Sequence, residues 1–203
     1  MLAKTYGCAV YGVDARKITI EVNVGQGLKF HLSGLPDTAV KESEHRVESA
    51  LKQSKFFMPR EKTVVNLAPA DIRKEGSAYD LPIALCILKA SGQIDTARLE
   101  EFVIMGELAL DGSLRPVKGV LPIAIQARRE GFRGIIIPAD NAREAAIVPE
   151  LEVYGVQHLR QAVDFLTEKE TLLPTKINVN EVFASQVNDY DIDFKDVQGQ
   201  ETI

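Results

Sequence analysis

Few residues in this chain have the type and setting to do chemistry. Ser77 is the first, in Arg73-Lys74-Glu75-Gly76-Ser77-Ala78-Tyr79-Asp80-Leu81-Pro82, a charged loop that runs into an almost wholly apolar helix. Leu81, Ile83, Ala84, Leu85, Cys86, Ile87, Leu88 and Ala90 leave that helix no polar face, so it is expected to be buried on most sides. A loop that delivers backbone N–H groups to a helix start favours an anion, and Arg73 and Lys74 add positive charge. The same loop can hold a nucleophile. Its plainer reading is a capped core helix behind a solvated loop. Asp80 is read as the N-cap of a helix from Leu81, which puts Pro82 in the first turn, where its missing N–H costs nothing. Ser77 as N-cap would carry Pro82 to the fifth helical position and lose a backbone bond.

Other chemistries lack their residues. The sequence has no H-E-x-x-H, no Cys/His cluster with zinc spacing and no Walker A loop. Gly25-Gln26-Gly27 does not open a dinucleotide fingerprint, because Phe30 stands at the third glycine. His31, His45 and His158 are isolated. Asp189-Tyr190-Asp191-Ile192-Asp193 starts like a calcium loop, but Phe194 replaces its glycine and Gln200 its bidentate glutamate. No metal site is expected.

The elements that must position Ser77 read as an antiparallel β meander followed by βα units, an α/β (α+β) chain. Ala3–Val13 reads as a strand. Lys17–Val24 alternates, with Ile18, Ile20, Val22 and Val24 on one face, and Leu28, Phe30 and Leu32 continue the meander after a Gly25–Gly27 turn. Asp37 opens a helix to about Ser54, and Thr63–Leu67 is a strand leading to the Ser77 loop. A strand at Phe102–Met105, a hairpin turn at Leu110–Ser113 and a helix over Lys118–Arg129 follow. Gly134–Ile137 is an uninterrupted apolar run, the mark of a strand buried on both faces. A short helix at Ala139–Ala146, a strand at Leu151–Tyr154 and a helix at Leu159–Leu166 complete the ordered part. From Thr171 the chain turns polar and reads as a linker.

The 203 residues suit one domain with an appendage, and 45% hydrophobic residues suffice for a core. The net charge of −5 gives no global nucleic-acid signature. Much of it sits beyond Thr171, where Lys176 and Lys195 face Glu181, Asp189, Asp191, Asp193, Asp196 and Glu201. The domain itself is close to neutral and can still carry a basic face. No run resembles a secretory leader or a membrane span, and Cys8 and Cys86 read as two separate buried thiols. A cytoplasmic location is expected.

Two segments carry a resemblance. The Ser77 loop and Gly106-Glu107-Leu108-Ala109-Leu110-Asp111-Gly112-Ser113-Leu114-Arg115-Pro116-Val117-Lys118-Gly119 resemble the peptidase domain of Lon, a two-layer sandwich with a Ser–Lys dyad. A lysine serves as base there only if desolvation lowers its pKa. Laid over this chain, the nucleophile position is Ala78 and the lysine position is Leu121, so the resemblance implies a retained fold and no catalytic residue. Ser77 and Lys118 are near misses. Ser77 is one residue early, which turns its side chain by about 100° at a helix start. The runner-up reading is a divergent Ser–Lys peptidase that uses Ser77 and Lys118.

A narrower resemblance joins Gly34-Leu35-Pro36-Asp37, Asn66-Leu67-Ala68-Pro69-Ala70-Asp71, Lys74-Glu75-Gly76, Tyr79-Asp80-Leu81-Pro82-Ile83-Ala84 and Gly106-Glu107-Leu108. Together they are similar to the N-terminal domain of the ComM/YifB family, magnesium-chelatase-like AAA+ ATPases. The resemblance implies a Lon-like domain over residues 1–170. It also implies a linker over 171–203 leading to an absent AAA+ module, whose start Asp193-Phe194-Lys195-Asp196-Val197-Gln198-Gly199-Gln200 resembles. The parent protein would be a hexameric DNA motor, a branch-migration helicase of natural transformation. ATP and magnesium belong to its absent module, and this part needs no cofactor of its own. Its partners would be single-stranded or branched double-stranded DNA and further copies of itself, with no membrane. A magnesium-inserting chelatase subunit is a third reading. Arg60, Lys62, Arg73, Lys74, Arg115 and Lys118 flank loops and are the candidate DNA-contacting or anion-binding residues; ordinary solvated charge is their plainer reading.

Overall fold

The computed structural model describes residues 1–177. Its first feature is a hairpin of β1 (Leu2–Tyr11) and β2 (Asp14–Gly25), closed by the Tyr11↔Asp14 pair with Gly12 at φ 59°. β2 alternates as its sequence requires, with Ile18, Ile20 and Val22 fully buried. β3 (Phe30–Ser33) departs from the expected meander. It pairs in parallel with β4 (Lys62–Ala68), and β4 takes the place beside β2. Burial explains the exchange. Thr63, Val65 and Leu67 of β4 are buried, whereas Phe30 and Leu32 are half-covered and Leu28 is exposed. The short, weakly apolar strand takes the edge.

On the other side of β1, the parallel strands β5 (Phe102–Ile104), β8 (Gly134–Pro138) and β9 (Glu152–Val156) complete a seven-stranded mixed sheet, in the order β3-β4-β2-β1-β5-β8-β9. Every residue of β8 is buried, as its apolar run demands. A separate two-stranded ribbon joins β6 (Glu107–Leu108) to β7 (Leu114–Arg115).

Helices pack on the sheet to give the expected α/β sandwich. The helix expected from Asp37 to Ser54 is two, α1 (Thr38–Lys41) and α2 (Ser43–Gln53), broken at Glu42. Asp37 caps α1, accepting from the Val40 N–H at 2.8 Å. α3 (Asp80–Ala90) lies over β1 and β2 and carries α2 on its back. Asp80 is its first residue, not its cap, because the carboxylate is turned to Arg46. α4 (Val120–Arg129) packs on β1, β2 and β8, α5 (Ala142–Ala145) on α4 and β9, and α6 (Leu159–Leu166) on β9. Past α6, Thr175 donates its N–H to the Val153 carbonyl at 2.8 Å, so the chain there runs beside β9. The calcium-loop-like stretch and the Asp193–Gln200 segment lie outside the described residues.

Candidate functional site

The loop between β4 and α3 is pinned from both ends. Lys74 donates its N–H to the Leu35 carbonyl at 3.2 Å and accepts from the Asp37 N–H at 3.0 Å. The Asp37 carboxylate takes the Gly76 N–H at 3.0 Å. Further along, Gly106 donates to the Ala78 carbonyl at 2.8 Å and accepts from the Leu81 N–H at 3.0 Å. These bonds hold Ser77, Ala78 and Tyr79 against the strand end that follows β5.

A cavity of about 710 Å³ opens there, within the usual size of ligand sites. Cys8, Val10, Tyr79, Met105, Val117 and Ile123 give it apolar walls, and Arg73, Glu75, Glu107 and Lys118 give it charge. Ala78, the position matched to the Lon nucleophile, lines it; Leu121 does not. Leu121 sits half-buried in the first turn of α4, with its N–H on Glu144 at 3.1 Å. Ser77 and Lys118 both line the cavity, so the structure brings the two near misses together. The Ser77 hydroxyl donates to the Glu107 carboxylate. A hydroxyl so engaged has an anion as its neighbour, not an amine. Burial pushes the Cys8 thiol at the cavity wall up to about 12 and raises the Tyr79 phenol as well, so neither is an ionised nucleophile at neutral pH.

The six candidate basic residues do not form one face. Arg60 and Lys62 lie at the start of β4 and Arg73 beyond its end, separated by the strand's length, roughly 20 Å. Arg73, Arg115 and Lys118 are exposed and belong to the cavity end. Arg73 pairs with Glu75 at 3.1 Å and Arg115 approaches Glu107 at 3.8 Å. Lys118 has no ion-pair partner among the described residues. Lys74 corrects the sequence reading: its side chain is fully buried, and the ammonium donates to the carbonyls of Gly34, at 2.7 Å, and Pro69. Burial lowers its pKa, opposed by Asp71. A lysine spent on backbone carbonyls under the loop cannot meet a phosphate.

Sequence reasoning missed Arg46. Its guanidinium forks onto the buried Asp80 carboxylate, at 2.6 and 2.9 Å, and also donates to the Ala39 carbonyl at 2.8 Å. The signal available was Asp80 itself, an acid opening a helix too apolar to leave it in water. Burial pushes Asp80 up to about 6, with the Arg46 bonds pulling down.

The family described as Subunit ChlI of Mg-chelatase matches residues 20–141. The chain is 44% identical to competence protein ComM of Haemophilus influenzae over 202 residues, 98% of this chain and 39% of that protein. It is 43% identical to YifB of Salmonella typhimurium over 172 residues, 84% of this chain and 34% of that protein. A third relative, DNA repair protein RadA of Aquifex aeolicus, is 31% identical over 116 residues, 57% of this chain and 24% of its own. The chain thus spans 39% or less of the length of these relatives.

Proposed function

The chain belongs to the family of Mg-chelatase subunit ChlI, with ComM and YifB among its relatives, and from that membership we propose that it is the non-catalytic N-terminal part of a hexameric AAA+ DNA motor. In this reading residues 1–170 form a Lon-like domain and 171–203 a linker to the motor. The whole protein is an ATP- and magnesium-dependent branch-migration helicase of natural transformation in the cytoplasm. The domain engages DNA through Arg73, Arg115 and Lys118, or regulates the ring. The RadA relative, named for DNA repair, supports the DNA assignment.

The observation that carries the non-catalytic assignment is the cavity itself. Ala78 stands where a Lon-like nucleophile would, and the neighbouring hydroxyl of Ser77 is held by Glu107. The chain is expected to leave casein and fluorogenic peptides uncut and to show no saturable binding of a fluorescent ATP analogue. The full-length protein is expected to hydrolyse ATP and to move branched DNA. The rival peptidase reading rests on Ser77 and Lys118 sharing the cavity. Peptide cleavage abolished by Ser77→Ala would establish it and end ours.

A further inference from the structure

At the cavity end of β4 the charges come in pairs, Arg73 with Glu75 and Arg115 with Glu107. The other end of the strand is different. Lys52 lies in the last turn of α2 and Lys55 just past it, Arg60 and Lys62 stand at the start of β4, and Lys29 lies in the turn before β3. All five are exposed, and none forms an ion pair among the described residues. Glu61 is the only acid between Ser49 and Ala70, and residues 25–36 contain none. Five cations therefore face one acid, in a chain whose net charge is −5. The turn is fastened to the strand: Thr63 donates its N–H to the Lys29 carbonyl at 3.0 Å, and the register sets Gly25 opposite Lys62.

Phe57 stands among these cations with 61% of its surface exposed. It is two residues from Lys55 and three from Arg60, within about 10 Å of each along the chain. Its outward position is held. The Phe57 N–H donates to the side-chain oxygen of Gln93 at 3.0 Å, and its carbonyl accepts from the Gln93 amide at 2.9 Å. That amide also donates to the Ser91 hydroxyl at 2.7 Å, which fixes the clasp to the end of α3. Phe56 donates its N–H to the Leu51 carbonyl at 2.9 Å and lies under the Arg160 guanidinium, 5.3 Å from the ring centre; Pro59 is buried. The neighbouring ring is thus covered, whereas the Phe57 ring forgoes the burial that would stabilise it.

We propose that this end of the domain is a second nucleic-acid contact, and that its ligand is an unpaired DNA strand. A base stacks on the Phe57 ring, and the cations on either side of it carry the phosphates. A positively charged surface with an aromatic platform is the arrangement that holds unpaired strands. In a duplex the faces of the bases are already stacked on one another, so the ring has nothing to receive. A protein interface would want an apolar core depleted of charge, and here one ring is set among five cations. The proposal rests on the DNA reading above and adds a site which that reading does not contain.

The test uses the 203-residue chain and a fluorescein-labelled oligothymidylate of about 20 nucleotides. Polarisation should show saturable binding, with log K falling against log salt at a slope of roughly −3, as four phosphates on a single strand require. Phe57→Ala should weaken binding about fivefold or more and leave the slope in place, because stacking releases no counterions. Phe57→Trp should keep the affinity. Lys55→Glu with Arg60→Glu should flatten the slope by about one or more. These side chains are exposed, so the variants should keep the fold. Binding of a duplex of the same length should not respond to Phe57→Ala. A Phe57→Ala variant that binds the strand as well as the parent, or loses as much on the duplex, would overturn the inference, as would displacement of the strand by an equal concentration of polyglutamate. Strand binding that survives these changes but is abolished by Arg73→Glu with Lys118→Glu would overturn it and leave the DNA reading standing. No binding of either DNA form at low salt would end the inference together with the DNA contact at the cavity end.

Discussion

Arg46→Met should be among the more damaging single changes in this protein, and its cost should depend on pH. Methionine keeps much of the stem's packing and removes the guanidinium. Asp80, with no exposed surface, is then left with one donor, the Leu108 N–H at 3.3 Å. Breaking a buried pair from one side typically costs about 3–5 kcal/mol, because the other charge stays behind. The carboxyl already sits at about 6 with Arg46 in place, and without it burial acts unopposed and the value climbs. A carboxyl whose folded pKa exceeds its unfolded value, near 3.9, stabilises fully below that value and loses the contribution as pH rises through the folded one. At pH 8 the variant therefore carries a buried unpaired anion; at pH 5 it carries a neutral acid, and its deficit against the wild type should shrink by roughly half or more. Urea unfolding followed by circular dichroism at both pH values reads this directly. Adding Asp80→Leu to Arg46→Met should recover most of the loss at pH 8, since an apolar pair can replace a buried ion pair. A cost under about 1 kcal/mol at pH 8, or equal costs at both pH values, would refute the reasoning.

Three further outcomes follow from the same region. Gly34→Ala should cost about 3 kcal/mol or more in thermal or urea unfolding, because φ is +100° there and an added Cβ would lie 2.0 Å from the Leu67 carbonyl oxygen. Lys74→Met should cost about 1–3 kcal/mol for each carbonyl left without its donor, and should leave the salt dependence of any DNA binding unchanged. If Arg73, Arg115 and Lys118 contact three phosphates, log K against log salt should fall with a slope of roughly −2 to −3, and Arg73→Glu with Lys118→Glu should flatten it; a slope unmoved by that pair of changes removes this face as the DNA contact.

What the sequence made legible was what local pattern decides. The alternation of Ile18, Ile20 and Val22 marked β2, the apolar run at 134–137 marked β8, and the helix at Leu159–Leu166 has the expected ends. Pairing partners were not legible. Phe30 and Leu32 announce a strand, but nothing local says that it lies beside β4 rather than β2. The roles of charged residues were hidden for a related reason. Lys74 reads as loop charge open to an anion and Arg46 as an outward helix residue, because a loop and an amphipathic helix usually leave such side chains in water. Only the fold reveals that one lies under the loop and the other over Asp80. The cavity was legible in one respect: the loop before α3 and the segment after β5 were both singled out, and they form its walls.

The stretches that carried the family resemblance meet in space, and what they build there is a loop support. Gly34 and Pro69, from two of them, supply the carbonyls that hold the Lys74 ammonium, and Lys74 belongs to a third. Asp37 caps α1 with one carboxylate oxygen and holds Gly76 with the other. Asp80 links α3 to α2 through Arg46 and to β6 through Leu108, while Gly106 fastens Ala78 and Leu81. Each of these groups is engaged in fixing where Ser77, Ala78 and Tyr79 stand. A hydrolytic site would need that precision to aim a nucleophile, and Ala78 offers none. The same precision suits a binding surface, since amide donors held in place lose little entropy when a ligand arrives. The rigid part of the site is therefore its backbone, fixed by bonds from five separate stretches of the chain.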